Sequence, residues 1–376
     1  MRWNKLIILV LFWFVYPGCS HQAENGQQII KVDIEAAYAK TPSIADMFSK
    51  VELIKLDSSH PISNTVYTGG AYISCSENYI YLLDERTFKI HIFDKSGRDV
   101  LVDDKVGRGP GEFTMAYQIT YDPLSDLVEV LNPLGRILRY TSDSLKHIET
   151  LKYKGLLATH SFYKNKDGYL LYSHSEQDQL WSMKPSNTEV QSFGYHTEEY
   201  LAHYLMPQHP FFNIGDRTCF FRNYDGLIYT FDVQNHKLVP YISWDFGKYQ
   251  CELKDIPVYK SAREYRPFIN EYSKNRLSPF IDMSSYGNIL LVNVVFKGKT
   301  HTLFYDLKSD RCFFFEKTEE DMKLLCGFFN GDVMYKYVDG HHLSEYVNRG
   351  ILDNDSQNIY DDIISNDGYA VIKYYL

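Results

Sequence analysis

Histidine is the residue type in this sequence with the clearest potential for chemistry, and His160 and His209 are the strongest candidates among the 13 histidines. Each stands at the beginning of a predicted strand, after a loop, where a side chain can face a shared cavity. An imidazole there can bind a metal, move a proton or hydrogen-bond to a loop. The hydrogen bond is favoured, because no HExxH motif or other metal-ligand spacing accompanies the two residues.

Other catalytic patterns are absent from the sequence. His341 and His342 are adjacent, so on a strand their side chains point to opposite faces. The acidic pairs Glu319-Glu320 and Asp361-Asp362 are more typical of solvated turns than of a hydrolase dyad. The serines lack a GxSxG context. We therefore predict no catalytic residue and no cofactor.

A glycine-rich stretch, GRGPGEF, runs from Gly107 to Phe113. A phosphate-binding loop would need a following Gly-Lys-Ser/Thr and a helix, whereas here Pro110 and a predicted strand follow. Glycine permits positive φ and proline fixes φ, so a turn between strands is favoured over a phosphate site. Arg108 and Glu112 can brace this turn or face a ligand, and bracing is favoured.

Aromatic side chains concentrate where one long segment meets a predicted inner strand, at Tyr195, Tyr200, Tyr204, Phe211 and Phe212. Ring faces with polar rims can bind sugars or peptides, although packing between strands also consumes many aromatics. The ligand-binding set predicted from the sequence is Arg108, Glu112, His160, Tyr204, His209 and Phe211.

A repeat positions these residues. A turn followed by an alternating strand recurs with starts at 78, 126, 167, 217, 287 and 331. A period of about 40–50 residues with several short strands in each unit is typical of propeller blades. The fold class predicted is all-β: a six-bladed β-propeller of four-stranded antiparallel blades over residues 45–376.

The sixth unit supplies only three strands before the chain stops. They are predicted at Leu324–Phe328, Asp332–Tyr337 and Tyr369–Tyr375. The segment Val51–Asp57 alternates apolar and polar residues and can supply the fourth strand. We predict that this N-terminal strand closes the last blade.

Two segments exceed the repeat. His196–Gln208 and Lys254–Arg276 are predicted to be helical insertions, with the second over about 254–276. Long insertions in a regular repeat often carry function, although a packing helix is favoured for the second. Asp353–Asp367 is polar and acidic and is predicted to be a solvated loop.

The N-terminus has the pattern of a secretory signal. Arg2 and Lys5 precede an apolar run that ends at Tyr16, and Cys19 follows Gly18. The cysteine after a small residue resembles a bacterial lipobox. We expect a signal peptide over residues 1–18, then a lipidated Cys19 and a polar tether over 19–44. Ordinary signal-peptidase cleavage near Gly18 is the alternative.

Charge and cysteine content limit the kinds of partner and crosslink that we expect. The formal net charge is -9, which argues against nucleic acid as a partner, because phosphate binding needs a basic surface. Most of the cysteines after residue 19 fall in apolar strand-like runs, so buried free thiols are favoured over a disulfide framework. These cysteines are Cys75, Cys219, Cys251, Cys312 and Cys326.

The GxGPGEF turn, followed by the strand at Val128–Asn132, resembles the repeat of NHL-type propellers. The whole layout resembles the six-bladed β-propeller lipoproteins of Gram-negative envelopes. That resemblance implies a propeller anchored to the outer membrane through lipid. The intact repeat, together with the absence of a nucleophile or metal motif in the sequence, favours a binding or scaffold module whose ligand is a glycan, a peptide or an envelope protein. Some NHL-type lyases place metal-binding histidines at the pore, so a metal-dependent lyase or hydrolase using His160 and His209 is the alternative.

Overall fold

Antiparallel hairpins dominate the computed structural model. It describes residues 19–24, 27–63, 71–156, 158–173, 179–186, 188–194, 209–224, 226–256 and 262–376. No helix within these ranges is long and apolar enough to span a bilayer. The segments before the first blade are β1 (Cys19–Glu24), β2 (Gln27–Val32), α1 (Ile34–Tyr38) and β3 (Lys50–Leu56).

The described strands form six sheets, which are the six blades of a propeller. The first blade contains β4 (Ala71–Cys75), β5 (Tyr79–Asp84), β6 (Ile90–Asp94) and β7 (Asp99–Asp103). The second contains β8 (Gln118–Asp122), β9 (Leu127–Asn132), β10 (Arg136–Thr141) and β11 (His147–Lys152). The third contains β12 (Thr159–Asn165), β13 (Gly168–Ser173), β14 (Leu180–Met183) and β15 (Val190–Ser192).

The remaining blades have the same order of strands. The fourth contains β16 (Phe211–Ile214), β17 (Arg217–Phe221), β18 (Leu227–Asp232) and β19 (Lys237–Asp245). After α2 (Ala262–Tyr272), the fifth contains β20 (Phe280–Tyr286), β21 (Ile289–Phe296), β22 (Lys299–Asp306) and β23 (Arg311–Phe315). The sixth segment supplies β24 (Phe328–Asn330), β25 (Val333–Asp339), α3 (Leu343–Tyr346), α4 (Asn354–Asn366) and β26 (Tyr369–Tyr375). The predicted fold class is confirmed.

The first strand of each blade lies at the axis, where first strands of neighbouring blades contact each other. The N-terminal strand closes the ring as predicted. In the sixth blade β3 pairs antiparallel with β26, and the register joins Lys50 to Tyr375 and Leu56 to Tyr369. The sixth blade thus combines strands from both ends of the chain. Because β3 pairs with β26, the C-terminal strand does not form an exposed sheet edge.

The inner strand of the sixth blade is shorter than predicted. The prediction was Leu324–Phe328, whereas β24 begins only at Phe328. Blade five accounts for the difference. The Asn293 side chain donates to the Leu324 carbonyl at 3.1 Å and accepts from the Cys326 backbone N–H at 2.6 Å. These side-chain contacts satisfy backbone groups that a strand partner would otherwise bond.

Part of the range predicted as a polar tether is instead folded against the propeller. β2 pairs in parallel with β19, and β1 pairs with β2, so the fourth blade becomes a six-stranded sheet. The alternating apolar residues Ile30, Val32 and Ile34 are buried in the core of blades four and five. The Asp33 carboxylate caps α1 by accepting from the backbone of Glu35 and Ala36.

The prediction of a solvated loop at Asp353–Asp367 was wrong, because the segment forms α4. Asp353 caps the N-terminus of this helix, and Asp367 ends it in the left-handed conformation at φ 49°. Ile363 is fully buried in the core of the sixth blade, where α4 packs on β3. The acidic composition suggested a loop, although a single apolar stripe is sufficient to dock a helix.

Two predicted insertions have different outcomes. α2 lies within the predicted helical range 254–276 and contains Pro267. Residues 257–261 fall outside the described part of the chain, as does the whole segment 196–208.

The core lies between blades and is aromatic and aliphatic. Cys75, Cys219, Cys251 and Cys326 are buried and free, as expected of small apolar side chains. The prediction of a free thiol was wrong for Cys312, which is only partly buried and forms a disulfide. Burial raises the pKa of the Cys75 thiol to about 12. These four cysteines therefore contribute packing rather than crosslinks.

Candidate binding site at the mouth of the axial channel

Six side chains, one from each blade, meet at the end of the channel where the inner strands begin. The alternation of β-strands turns these positions toward the axis, while neighbouring residues such as Met283 enter the core. We call this set the mouth ring. Its members are Tyr72, Tyr117, His160, His209, Asp282 and Lys336.

Aromatic contacts connect four members of the ring. The Tyr72 and His209 rings meet edge to face with centroids 5.8 Å apart, although they belong to the first and fourth blades. The Tyr117 and His160 rings have the same arrangement at 5.7 Å. Because blades one and four are opposite each other in a six-bladed ring, the first contact crosses the axis. The mouth is thus only a few side chains wide.

Asp282 provides the carboxylate of the ring. Its Oδ2 lies 3.1 Å from His209 Nδ1, and its Oδ1 accepts from the Met283 backbone N–H at 3.0 Å. The carboxylate is largely buried, while about a third of the His209 side chain is exposed. The arrangement fixes the orientation of the His209 ring and leaves its other edge open to the mouth.

Burial determines the ionisation of His160 and Tyr72. Desolvation, followed by the nearby His209, lowers the pKa of His160 to about 4. Its imidazole is therefore neutral at pH 7, with one nitrogen as a donor and the other as an acceptor. Burial likewise raises the pKa of Tyr72, so its phenol keeps its proton.

Lys336 reaches the mouth because the inner strand of the sixth blade is short. It lies on β25, one residue beyond the part that pairs with β24. Its Nζ donates to the Cys326 carbonyl at 3.3 Å. Burial lowers the pKa of the ammonium, and the nearby carboxylates of Asp282 and Glu85 oppose that shift.

The comparisons with known proteins agree with this architecture. Residues 29–365 match the family described as Domain of unknown function (DUF4934). The chain belongs to this family. A comparison with curated proteins finds no match.

Two solved structures share the fold of this family member. One is a protein of Bacteroides fragilis whose name describes it as exported. It is 18% identical with a TM-score of 0.61, and the match covers 87% of this chain and 95% of that one. The other is a member of the DUF4221 family from Bacteroides vulgatus. It is 10% identical with a TM-score of 0.54, and the match covers 88% and 97% of the two chains. At these identities the likeness shows the fold alone.

Of the residues predicted from the sequence, the structure brings together His160 and His209. Phe211 lies instead in the core between the third and fourth blades, packed with Tyr163 and Phe220. Tyr204 falls outside the described residues. Arg108 is exposed on the turn between β7 and β8.

Glu112 braces the GRGPGEF turn. Its carboxylate accepts from the Gly109 backbone N–H at 2.7 Å, and a side chain at Gly107 would collide with it. Gly111 has φ +76°, and a Cβ there would lie 2.6 Å from His147. The stretch connects the first and second blades, as predicted.

Sequence reasoning missed four members of the ring. Tyr72 and Tyr117 stand at the starts of correctly predicted inner strands, so their position in the repeat was a usable signal. Asp282 is the third residue of its strand, after a register shift between Phe280 and Asp282 that sequence alternation does not reveal. Lys336 had no signal, because a full inner strand was expected in front of it.

A buried network of charged side chains and a cavity lie outside the mouth ring. Between blades two and three, the buried Glu129 carboxylate is bonded to Arg139, Lys164 and Tyr169. A cavity of about 380 Å³ between blades three and four includes Phe193 and His236. It is formed by turns at the other end of the strands from the mouth ring. Within the described ranges, no three His, Cys, Asp or Glu side chains converge as a metal site would require.

Proposed function

We propose that this protein is a binding module of the cell envelope, anchored through a lipid on Cys19, whose ligand enters at the mouth ring. The observation that carries this proposal is the convergence of one polar or aromatic side chain from each of the six blades. The contacts between blades are mostly apolar, so packing alone does not explain why polar groups converge at one end of the axis. Concave sites with a few convergent polar groups are typical of ligand binding.

The envelope location rests on the N-terminal sequence. The basic residues, the apolar run and Gly18-Cys19 have the order of a lipoprotein signal. The name of the Bacteroides fragilis relative, which describes that protein as exported, supports the same destination. Glycans, peptides and other envelope proteins are the partners to be tested.

A thermal-shift screen tests the site. Envelope glycans and peptides are added to the purified protein, and hits are repeated with His209→Ala and with the exposed control His341→Ala. A ligand present at 100 times its Kd stabilises the folded state by about 2.7 kcal/mol. We therefore expect a bound ligand to raise the Tm of the unmodified protein and of His341→Ala, but not the Tm of His209→Ala. An equal rise in all three proteins would place the ligand elsewhere.

The anchor is tested separately. We expect Cys19→Ala to move the protein from the membrane fraction to the soluble fraction. Mass spectrometry of the mature N-terminal peptide should show a diacylglyceryl modification on Cys19. Retention of Cys19→Ala in membranes, or an unmodified thiol in the native peptide, would contradict the lipid anchor.

The alternative of a metal-dependent lyase or hydrolase keeps one favourable observation, which is that His160 and His209 are both in the mouth ring. Metal analysis of the purified protein addresses it directly. Stoichiometric zinc or calcium that is lost on changing both histidines to alanine would replace the binding proposal. A scaffold role predicts that one envelope protein co-purifies reproducibly from membranes.

A further inference from the structure

The mouth ring contains two opposite charges that do not pair with each other. The Lys336 ammonium and the Asp282 carboxylate act on one another electrostatically. Both lie in the described part of the chain, yet no ion pair within 4 Å joins them, and the partner of Asp282 is His209. A strong donor and a strong acceptor therefore lie in one largely buried site without a direct ion pair between them.

Hydrogen-bonding capacity is left over around these two charged groups. An ammonium carries three donors, and the hydrogen bond of Lys336 to a described residue is the single contact to the Cys326 carbonyl. Ser284 follows Asp282 by two residues on β20 and so faces the same side of the strand. Ser284 is only 8% exposed, and its hydroxyl group lies beside the Cys326 thiol. A thiol is a weak hydrogen-bonding partner, so the hydroxyl group can still form a stronger hydrogen bond to a ligand.

The charges select the kind of partner. A multiply anionic ligand would be attracted by Lys336 but repelled by Asp282 and by Glu85, whose carboxylate also acts on the ammonium. A purely cationic ligand would meet the reverse conflict. A hydroxyl group both donates and accepts, so it can take a hydrogen bond from Lys336 while giving one to Asp282.

The neighbouring groups suit the same chemistry. The neutral His160 imidazole makes the site more polar without adding charge. The half-buried Tyr117 adds aromatic surface on which the C–H face of a sugar ring can rest, whereas Tyr72 is buried and packs against His209. Donors, acceptors and apolar surface are thus combined with little net charge.

We propose that the mouth ring binds an uncharged sugar, with hydroxyl groups bridging the Lys336 ammonium and the Asp282 carboxylate. This inference rests on the proposed function, because it takes the mouth ring as the ligand site. A site built to bond hydroxyls discriminates strongly against ligands that lack them, since its buried polar groups would then be unpaired.

Equilibrium dialysis with mass spectrometry tests the class of ligand. The mature protein is dialysed against partial hydrolysates of dextran, mannan and xylan, against oligogalacturonates, and against a tryptic digest of casein. We expect retention of a neutral oligosaccharide. Because uncharged ligands are little affected by screening, its affinity should change less than about twofold between 50 and 500 mM salt.

Variants locate the binding. We expect Lys336→Met and the isosteric Asp282→Asn each to weaken retention at least about tenfold, which corresponds to about 1.4 kcal/mol. The matched control is Lys95→Met, since Lys95 is also a buried lysine with a lowered pKa, but lies between the first and sixth blades. Circular dichroism and thermal unfolding confirm that each variant folds.

The possible failures are distinguishable. The protein could retain only acidic oligosaccharides or peptides and lose them in Lys336→Met. That result would overturn the proposal of an uncharged sugar but would leave the mouth ring as the ligand site. A neutral oligosaccharide retained equally by Lys336→Met and Asp282→Asn would overturn the proposed site itself. If no neutral oligosaccharide is retained by the unmodified protein, the sugar proposal is wrong.

Discussion

Several histidines of this protein are buried in the neutral form. Burial is the main cause of the lowered pKa of His91, His160 and His301. His91 is the most enclosed of these, with no exposed surface, and it stacks on Phe93 within the first blade. Neutral imidazoles in the interior make the fold sensitive to acid, because protonation is easier in the unfolded chain.

The charged surroundings of His91 only partly offset its burial. Asp84 and Asp99 favour the imidazolium, while His60 and Lys89 oppose it, and the net result lowers the pKa to about 4. The ordinary value is 6.5. The stability gained from the neutral ring is therefore complete above about pH 6.5 and is lost as the pH falls towards 4.

Replacing His91 with glutamine should remove this pH dependence. Between pH 7 and pH 4 we expect the free energy of unfolding of the unmodified protein to fall by up to about 3 kcal/mol more than that of His91→Gln. Urea denaturation at both pH values measures the difference, with the exposed His341→Gln as the control. Parallel losses in the unmodified protein and His91→Gln would show that His91 is not buried as a neutral ring.

At the scale of elements, a buried carboxylate joins the second and third blades. Glu129 on β9 has no exposed surface. It accepts from Tyr169 at 2.6 Å and pairs with Lys164 and Arg139 at 3.0 Å. Since Tyr169 and Lys164 belong to the neighbouring blade, these contacts fix the two sheets relative to each other.

Removing Glu129 should destabilise the protein strongly, because two cations would be left near the interior without their partner. For Glu129→Ala we expect a loss of about 3–5 kcal/mol in the free energy of unfolding. The matched control is Glu149→Ala, which removes the more exposed carboxylate partner of the same Arg139 and should cost about 0–1 kcal/mol. Equal effects in chemical denaturation would contradict a buried network.

Strands were predicted correctly from the sequence where local alternation and turn residues determine them. The strand from Tyr369 to Tyr375 and the closing strand near Val51 agree with the prediction. Elements that depend on a distant partner did not follow. The side chain of Asn293 in another blade replaces the expected strand at Leu324, and α4 is held by a stripe around Ile363 that its acidic composition conceals. Only two of the six members of the mouth ring were predicted for the same reason. His160 and His209 had strand-start positions, whereas Lys336 depends on the shortness of the strand β24.

At the scale of the whole molecule, one outer strand holds the ring closed. Leu53 on β3 is buried in the core of the sixth blade, while Lys55 on the same strand points to solvent and pairs with Asp362. Substitutions at Leu53 and Lys55 can therefore distinguish the buried contacts of β3, which close the ring, from its exposed contacts.

A charge at Leu53 should open the ring. For Leu53→Asp we expect a loss of more than about 4 kcal/mol, because a carboxylate would be buried without a partner, and deletion of residues 51–57 should be at least as severe. Lys55→Ala should stay within about 1 kcal/mol of the unmodified protein. Differential scanning calorimetry compares the three variants with the unmodified protein. An unchanged Tm after the deletion would contradict closure by β3.

The closing pair also sets the time at which the fold can be completed. The Glu52 carboxylate accepts from the Tyr375 hydroxyl, 323 residues later in the chain. At 5–20 residues per second, a ribosome needs roughly 16–65 s to make that intervening length. Until then β3 has no partner, and the blade that carries Lys336 is unfinished. The mouth ring is therefore complete only after the last strand has been made.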